Sequence, residues 1–342
     1  MQRGTSYWMP GVATQTDGAD MSFRDMLIWA MQARSYAIVG TGALGGFYGA
    51  RLAHAGCEVH FLFHSDYDYV KQHGLVCESK DGDFTLPRVN AYRDARDMPR
   101  CDVVCVTLKT TQNHLLPQLL PPVVKDGGAV LVMQNGLGVE EDVAKIVGPQ
   151  RVMGGLCFLC SNKAGPGHIR HLDYGMVALG EFSKRGVSER MRGIGEDFQR
   201  AGIPIQLAEN LPAVRWQKLV WNIPYNGLSV ILNADTSVLM TDPHTRRLVE
   251  AIMREVVTSA RACGADPGEG IIARMLEHTE KMTPYRTSMK IDYDERHPME
   301  VETMFGNPLR AAQGAGATAP LIGMLYAELK FLDAANTRAP GR

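Results

Sequence analysis

Two groups of residues in this chain have the types and spacing to do chemistry. Gly40, Gly42 and Gly45 fit the pattern G-x-G-x-x-G. In that pattern the first glycine allows a tight turn, the second lets a pyrophosphate approach the backbone, and the third lets a helix pack closely on a strand. A side chain at Gly42 would occupy the phosphate's place. Lys218, Asn222 and Asn226 stand four apart, and at about 3.6 residues per helical turn they share one slowly drifting stripe about 12 Å long. An ammonium and two amides buried on such a stripe cost free energy unless each finds a partner. The partners could be backbone groups of another domain or a helix bent at Pro224, which cannot donate a helix hydrogen bond. They could also be the oxygens of a small anionic ligand, and three convergent polar groups are more than a kink needs. Glu300 and Glu302, by contrast, read from residue type alone as surface carboxylates.

The glycines need a strand before them and a helix after them, and the neighbouring sequence supplies both. Tyr36 to Val39 is apolar, Ala43, Phe47, Ala50 and Leu52 follow at near-helical spacing, and residues 58–63 read as a second strand. The first N–H groups of the helix have no partner within it, so together with the helix dipole they favour phosphate. His64, Ser65 and Asp66 fall where such folds meet the adenosine ribose. There an acid favours NAD and a cation favours the 2′-phosphate of NADP. His64 and Ser65 can donate to a phosphate, whereas Asp66 argues the other way.

Residues 101–108 and 128–133 are nearly unbroken apolar runs, as expected of parallel strands covered on both faces. The first ends at Lys109 and the second at Gln134-Asn135-Gly136-Leu137-Gly138, on the edge where open α/β sheets bind ligands. A helix follows from about Glu140 to Val147. Further strands at 152–156, 176–182 and 205–207 and a helix near 189–201 complete a first domain. Beyond Asn210 the pattern changes to long helices. Residues 214–226 are apolar on most sides, which marks a buried helix, and Asp242-Pro243 opens another that runs to Cys263 and stops at Gly264. The expected architecture is therefore an α/β Rossmann-type domain at 35–208, with a doubly wound, mostly parallel sheet, followed by an all-α domain at 209–342. Residues 1–34 form an N-terminal extension, disordered or folded back on the body.

A length of 342 residues fits two domains. With 36 basic and 37 acidic residues the chain has no broad field favouring nucleic acid or an anionic membrane, so charged ligands must be met locally. No apolar run approaches the roughly 18 residues of a membrane span. The short patch Met26 to Met31 follows acidic Asp20 and Asp25 and lacks a signal-peptide cleavage pattern. Seven scattered cysteines suit reduced thiols in the cytoplasm. Cys157 and Cys160 form a C-x-x-C, for which a redox or zinc role would need a helix start or a second ligand pair. No metal site is expected.

Taken in order, Gly40-Thr41-Gly42-Ala43-Leu44-Gly45, Leu108-Lys109, Gln134-Asn135-Gly136, the stretch from Gly165 to His171, Lys218 with Asn222 and Asn226, Ser288 with Asp292, and Glu300-Val301-Glu302 resemble the ketopantoate reductase (2-dehydropantoate 2-reductase) family. The resemblance runs from about Tyr36 to the C-terminal helices. It implies an N-terminal Rossmann domain, a helical C-terminal domain, and reduction of 2-dehydropantoate to (R)-pantoate with NADPH on the route to pantothenate and coenzyme A. By the same resemblance Lys218 is the catalytic lysine and Glu300 its acidic partner, while Asn135, Asn222, Asn226 and Ser288 hold the substrate. The cofactor is held by Gly40, Thr41, Gly42, Ala43, Leu44 and Gly45, with His64, Lys109 and Asn135. Three positions depart from the family pattern. His64 stands in place of an arginine, which leaves NAD open beside NADP. Glu302 replaces an aspartate and Met299 a threonine, which leaves open a relative acting on another small 2-oxo acid. A non-catalytic dinucleotide sensor is the alternative from another class. The partner implied is a small-molecule 2-oxo acid, and a homodimer stays open.

Overall fold

The computed structural model describes residues 33–338; of the N-terminal extension only Ala33 and Arg34 fall within it. Among the described residues, ten strands form one sheet. They are β1 (Ser35–Val39), β2 (Glu58–Leu62), β3 (Leu75–Ser79), β4 (Phe84–Leu86), β5 (Asn90–Tyr92), β6 (Cys101–Val106), β7 (Val124–Val132), β8 (Val152–Gly165), β9 (His168–Glu181) and β10 (Ile205–Ala208). Their order is β4-β3-β9-β8-β7-β6-β1-β2-β5, with β10 beside β9. The pairs β3–β4 and β8–β9 are antiparallel and the other pairs are parallel.

The apolar runs become strands buried on both faces because successive side chains point to opposite sides of a sheet. Tyr36, Ile38, Val103, Cys105 and Leu131 join one core. Their neighbours Ala37, Val39, Val104, Val106, Val130 and Val132 join another. Helices cover both faces. α1 (Ala43–His54) and α2 (Glu189–Arg200) contribute Phe47, Tyr48, Met191 and Phe198 to the first core, while Val139 and Val143, from the helix Val139–Val147, contribute to the second. This is the doubly wound arrangement.

β8 and β9 are far longer than the two short strands expected at 152–156 and 176–182. Each has 14 residues, and they make one hairpin that turns at Pro166-Gly167. Its register shifts at Phe158/Leu159, Cys160/Ser161 and Lys163/Gly165. Such bulges interrupt the period-two alternation, so the outer, polar half of the hairpin carries no strand pattern in the sequence. Cys157 and Cys160 lie within β8, not at a helix start, and both are buried and outside any disulfide.

By internal contacts residues 33–134 with Val139–Leu211 form one compact unit, and Asn135–Gly138 with 212–338 form another. The second unit is built of helices, chiefly α3 (Leu211–Ile231), α4 (Pro243–Ala262), α5 (Ser288–Asp294), α6 (Asn307–Gly314) and α7 (Pro320–Arg338), with a π-helical turn at Glu302–Gly306. α3 continues through Pro224, and apolar residues on all its sides join the core of this unit, Trp216, Leu219, Val220, Ile223 and Tyr225 among them. α4 starts where Asp242 accepts from the His244 and Thr245 N–H groups, both at 2.9 Å, and it stops before Gly264, whose φ is 74°.

Candidate functional site: a glycine loop in the sheet unit and a buried lysine in the helical unit

In the sheet unit the glycine pattern forms a turn with three distinct constraints. Gly40 has φ 105°, and a Cβ there would lie 2.6 Å from the Leu108 nitrogen. A Cβ at Gly45 would lie 2.4 Å from both the Gly40 carbonyl oxygen and Thr107 Oγ1. A Cβ at Gly42 would meet nothing within 4 Å. The outer two glycines are thus demanded by the protein's own packing, and the middle one leaves open space of the kind a phosphate needs. α1 begins at Ala43 with no side-chain cap and no acid in its first turn, so its first N–H groups suit an anion. Two hydroxyls hold the loop in place: Thr107 Oγ1 donates to the Gly40 carbonyl at 2.7 Å, and Thr41 Oγ1 donates to the Leu62 carbonyl at 3.0 Å. Sequence reasoning singled out Thr41 but missed Thr107, whose only signal is its place after a buried strand.

Past β2, His64 and Ser65 are exposed. Asp66 is not available to a ribose. It is 6% exposed, and it accepts from Lys163 Nζ at 2.6 Å, Ser65 Oγ at 2.9 Å and the Gly167 N–H at 3.0 Å. Burial pushes its carboxyl up, but these donors outweigh that and hold it below the usual carboxylate range. Lys109 is exposed at the start of the 3-10 turn Thr110–Leu115.

In the helical unit Lys218, Asn222 and Asn226 are 8%, 7% and 3% exposed. Lys218 Nζ donates to Asn135 Oδ1 at 2.8 Å, which brings together two candidates 83 residues apart. The loop carrying Asn135 is fastened by its backbone: the Leu137 N–H donates to the Thr303 carbonyl at 2.8 Å and Asn307 Nδ2 to the Leu137 carbonyl at 2.7 Å. Gly136, at φ 98°, lies so close to Thr303 that a Cβ would sit 2.5 Å from it. The loop could be read from the sequence as glycine-rich, whereas Thr303 and Asn307 gave no signal, because Thr303 acts through its carbonyl.

Asn226 is largely occupied within the protein. Its Nδ2 donates to the Asn222 carbonyl at 3.0 Å and its Oδ1 accepts from the Met289 N–H at 3.3 Å, so it ties α3 to the first turn of α5. Ser288, half-buried, starts that turn beside it. Ser229 and Thr287 add a hydroxyl contact at 2.7 Å.

The surface reading of Glu300 and Glu302 is right for one of them. Glu302 is exposed and held by Arg310 and Lys330, both at 3.0 Å, and by Tyr326. Burial pushes its carboxyl up, but these partners bring it down to about 2. Glu300 is 5% exposed. Glu300 lies just before the helical turn and Glu302 starts it, so the two side chains meet different surroundings. The π-helical turn that starts at Glu302 is of a kind frequent at functional sites.

Models of two known families match the chain, "Ketopantoate reductase PanE/ApbA" over residues 36–184 and its C-terminal counterpart over 210–333. The chain belongs to the ketopantoate reductase family. It is 61% identical to a 2-dehydropantoate 2-reductase of Nostoc sp. over 310 residues, which cover 90% of this chain and 97% of that protein. Among solved structures, a 2-dehydropantoate 2-reductase from Geobacter metallireducens has a TM-score of 0.85 at 40% identity, covering 87% of this chain and 99% of its own. One from Methylococcus capsulatus has a TM-score of 0.81 at 35% identity, covering 89% and 98%. The chain is an oxidoreductase with the Rossmann-type sheet and helical C-terminal region of this family. None of its described helices is long and apolar enough to cross a membrane.

Proposed function

We propose that this protein reduces 2-dehydropantoate to (R)-pantoate, a step toward pantothenate and coenzyme A, using a nicotinamide dinucleotide, with NADPH preferred. The observation that carries the reading is Lys218, an ammonium 8% exposed on the core helix of its unit and aimed by Asn135. A lysine kept in such surroundings has a use for its charge that offsets the cost of burial.

The cofactor fits the sheet unit. The open side of Gly42 and the uncapped first turn of α1 would take the diphosphate, with Thr41, Ala43, Leu44 and Lys109 around it and His64 toward the ribose. When bound, the dinucleotide supplies the hydride. The protein supplies orientation and charge. Lys218 steadies the growing negative charge on the ketone oxygen and delivers its proton. Asn135 positions that ammonium, Glu300 orients it and the substrate hydroxyl, and Asn222, Asn226 and Ser288 hold the remaining oxygens.

Two of the departures from the family pattern fall outside this machinery. Met299 is packed in the helical core and Glu302 belongs to a surface ion cluster, which supports the family's substrate over another 2-oxo acid. None of the seven cysteines is in a disulfide, as suits a reducing cytoplasm. The deciding experiment follows loss of reduced nicotinamide absorbance with purified protein and a panel of 2-oxo acids. Fastest turnover is expected with 2-dehydropantoate. A better rate with another member of the panel reassigns the substrate, and silence across the panel with cofactor still bound makes the protein a sensor.

A further inference from the structure

The dinucleotide reading leaves one charge unaccounted for. A 2′-phosphate is held best by a cation making charge-assisted hydrogen bonds, yet the position after β2 where the family resemblance expects an arginine carries His64. The acid two residues on, Asp66, argues for the cofactor without the phosphate unless something else engages it.

The structure shows what engages it. The β8–β9 hairpin passes over the start of α1, where Ser161 Oγ reaches the Ala43 carbonyl at 3.4 Å, and a Cβ at Gly46 would lie 2.6 Å from Ile169 Cδ1. The hairpin thereby brings Lys163 to the residues that follow β2. Lys163 Nζ and Ser65 Oγ both donate to Asp66 Oδ1, at 2.6 and 2.9 Å, so the two donors are no farther apart than about 5.5 Å, those distances laid end to end. The Gly167 N–H takes Oδ2 at 3.0 Å. Asp66 is therefore turned toward the hairpin and its acceptor capacity on Oδ1 is filled. Within the ion pair the Asp66 side chain is 7% exposed and that of Lys163 is 35% exposed. The cation is the outward member and the anion lies beneath it. Thr41, through its bond to the Leu62 carbonyl, keeps the glycine loop beside the same strand end.

We propose that Lys163, held by Asp66, supplies the positive charge that selects the 2′-phosphate of NADPH, with Ser65 and His64 as the accompanying hydrogen-bond donors. An acid that by sequence argues for NAD thus becomes the anchor of a lysine that selects NADP. The inference rests on the NADPH reading above and adds to it the source of the charge. An ammonium with one N–H given to Asp66 still has two to offer.

The test is a calorimetric titration of the full chain with adenosine 2′,5′-bisphosphate and with AMP, which differ only in the 2′-phosphate. It compares the parent, Lys163→Arg, Lys163→Gln and the double variant Lys163→Met/Asp66→Asn, which removes cation and anion together and leaves no buried charge unpaired. The parent is expected to bind the bisphosphate more tightly. Both neutral variants are expected to lose roughly ten- to hundred-fold of that preference, the range for a charged hydrogen bond, with AMP affinity unchanged, and Lys163→Arg to keep it. A preference that survives in Lys163→Gln and in the double variant overturns the role of Lys163 and leaves the NADPH reading standing. Equal weakening of AMP overturns it too, because the pair would then only fasten the hairpin. A parent that does not distinguish the two ligands removes the NADPH reading, and this inference with it.

Discussion

The glycine loop and the lysine stripe solve the problem of holding an anion in opposite ways. The loop works with backbone: Gly42 contributes open space and α1 contributes N–H groups, so its demand is on volume and side-chain chemistry hardly enters. The stripe works with side chains carried on a fully packed helix, where Lys218 depends on Asn135, more than 80 positions away in sequence. The comparison teaches that a backbone site should be sensitive to any added atom and a side-chain site to the loss of one functional group.

The largest effect expected from breaking this contrast is at Lys218. Lys218→Ala should lower kcat by roughly 10²–10⁴-fold, the range for general acid catalysis, with dinucleotide affinity little changed. Glu300→Ala should show a similar fall with part of the loss in KM. Steady-state kinetics beside a dinucleotide binding titration will show it. Parallel loss of activity and melting temperature in Lys218→Ala would make the lysine structural, and full activity in Glu300→Ala would take that residue out of the site.

A smaller effect separates the glycines from one another. Gly45→Ala forces a Cβ into the Gly40 carbonyl and Thr107 and should destabilise the fold by roughly 1–3 kcal/mol. Gly42→Ala meets no protein atom, so its melting temperature should match the parent's while dinucleotide binding weakens roughly ten-fold or more. Thermal melts with and without NADPH distinguish them. Equal destabilisation by the two substitutions would mean that Gly42 serves the fold and not the phosphate.

The smallest effect belongs to the carboxylate that only the surface uses. Glu302 has its pKa lowered from 4.5 to about 2 in the folded protein. A depressed carboxylate contributes stability that is present above its unfolded pKa and lost as pH falls through the folded one. The contribution should therefore be full above about pH 4.5 and disappear toward about pH 2. The side chain is 47% exposed, so solvent screening keeps the effect within about 1 kcal/mol. Glu302→Gln should lower the melting temperature slightly at pH 7 and leave it unchanged at the acid end. An equal difference at both ends would assign the effect to packing instead.

What could be read from the sequence was encoded over a few neighbouring residues. The strand, turn and helix around Gly40-x-Gly42-x-x-Gly45 follow from apolar runs and from glycines whose conformational freedom is local. The start of α4 at Asp242-Pro243 follows from capping, and the burial of Lys218, Asn222 and Asn226 from an apolar helix around them. These features depend on backbone dihedrals and on period-two or helical spacing, which neighbouring residues dictate.

The tertiary structure decided matters that depend on partners far along the chain. Glu300 and Glu302 look alike in sequence, and only the tertiary packing puts one in the interior and gives the other to Arg310 and Lys330. Asn135 follows β7, yet it groups with the helical unit because the Leu137 N–H and the Thr303 carbonyl pair. Asp66 looks like a ribose-reading acid until a hairpin whose bulges erase its strand pattern brings Lys163 to it across 97 residues. Which partner a buried charge takes depends on the free energy of the folded whole, since each must find a counter-charge or donor wherever the packed chain supplies one, and no local pattern of residues carries that information.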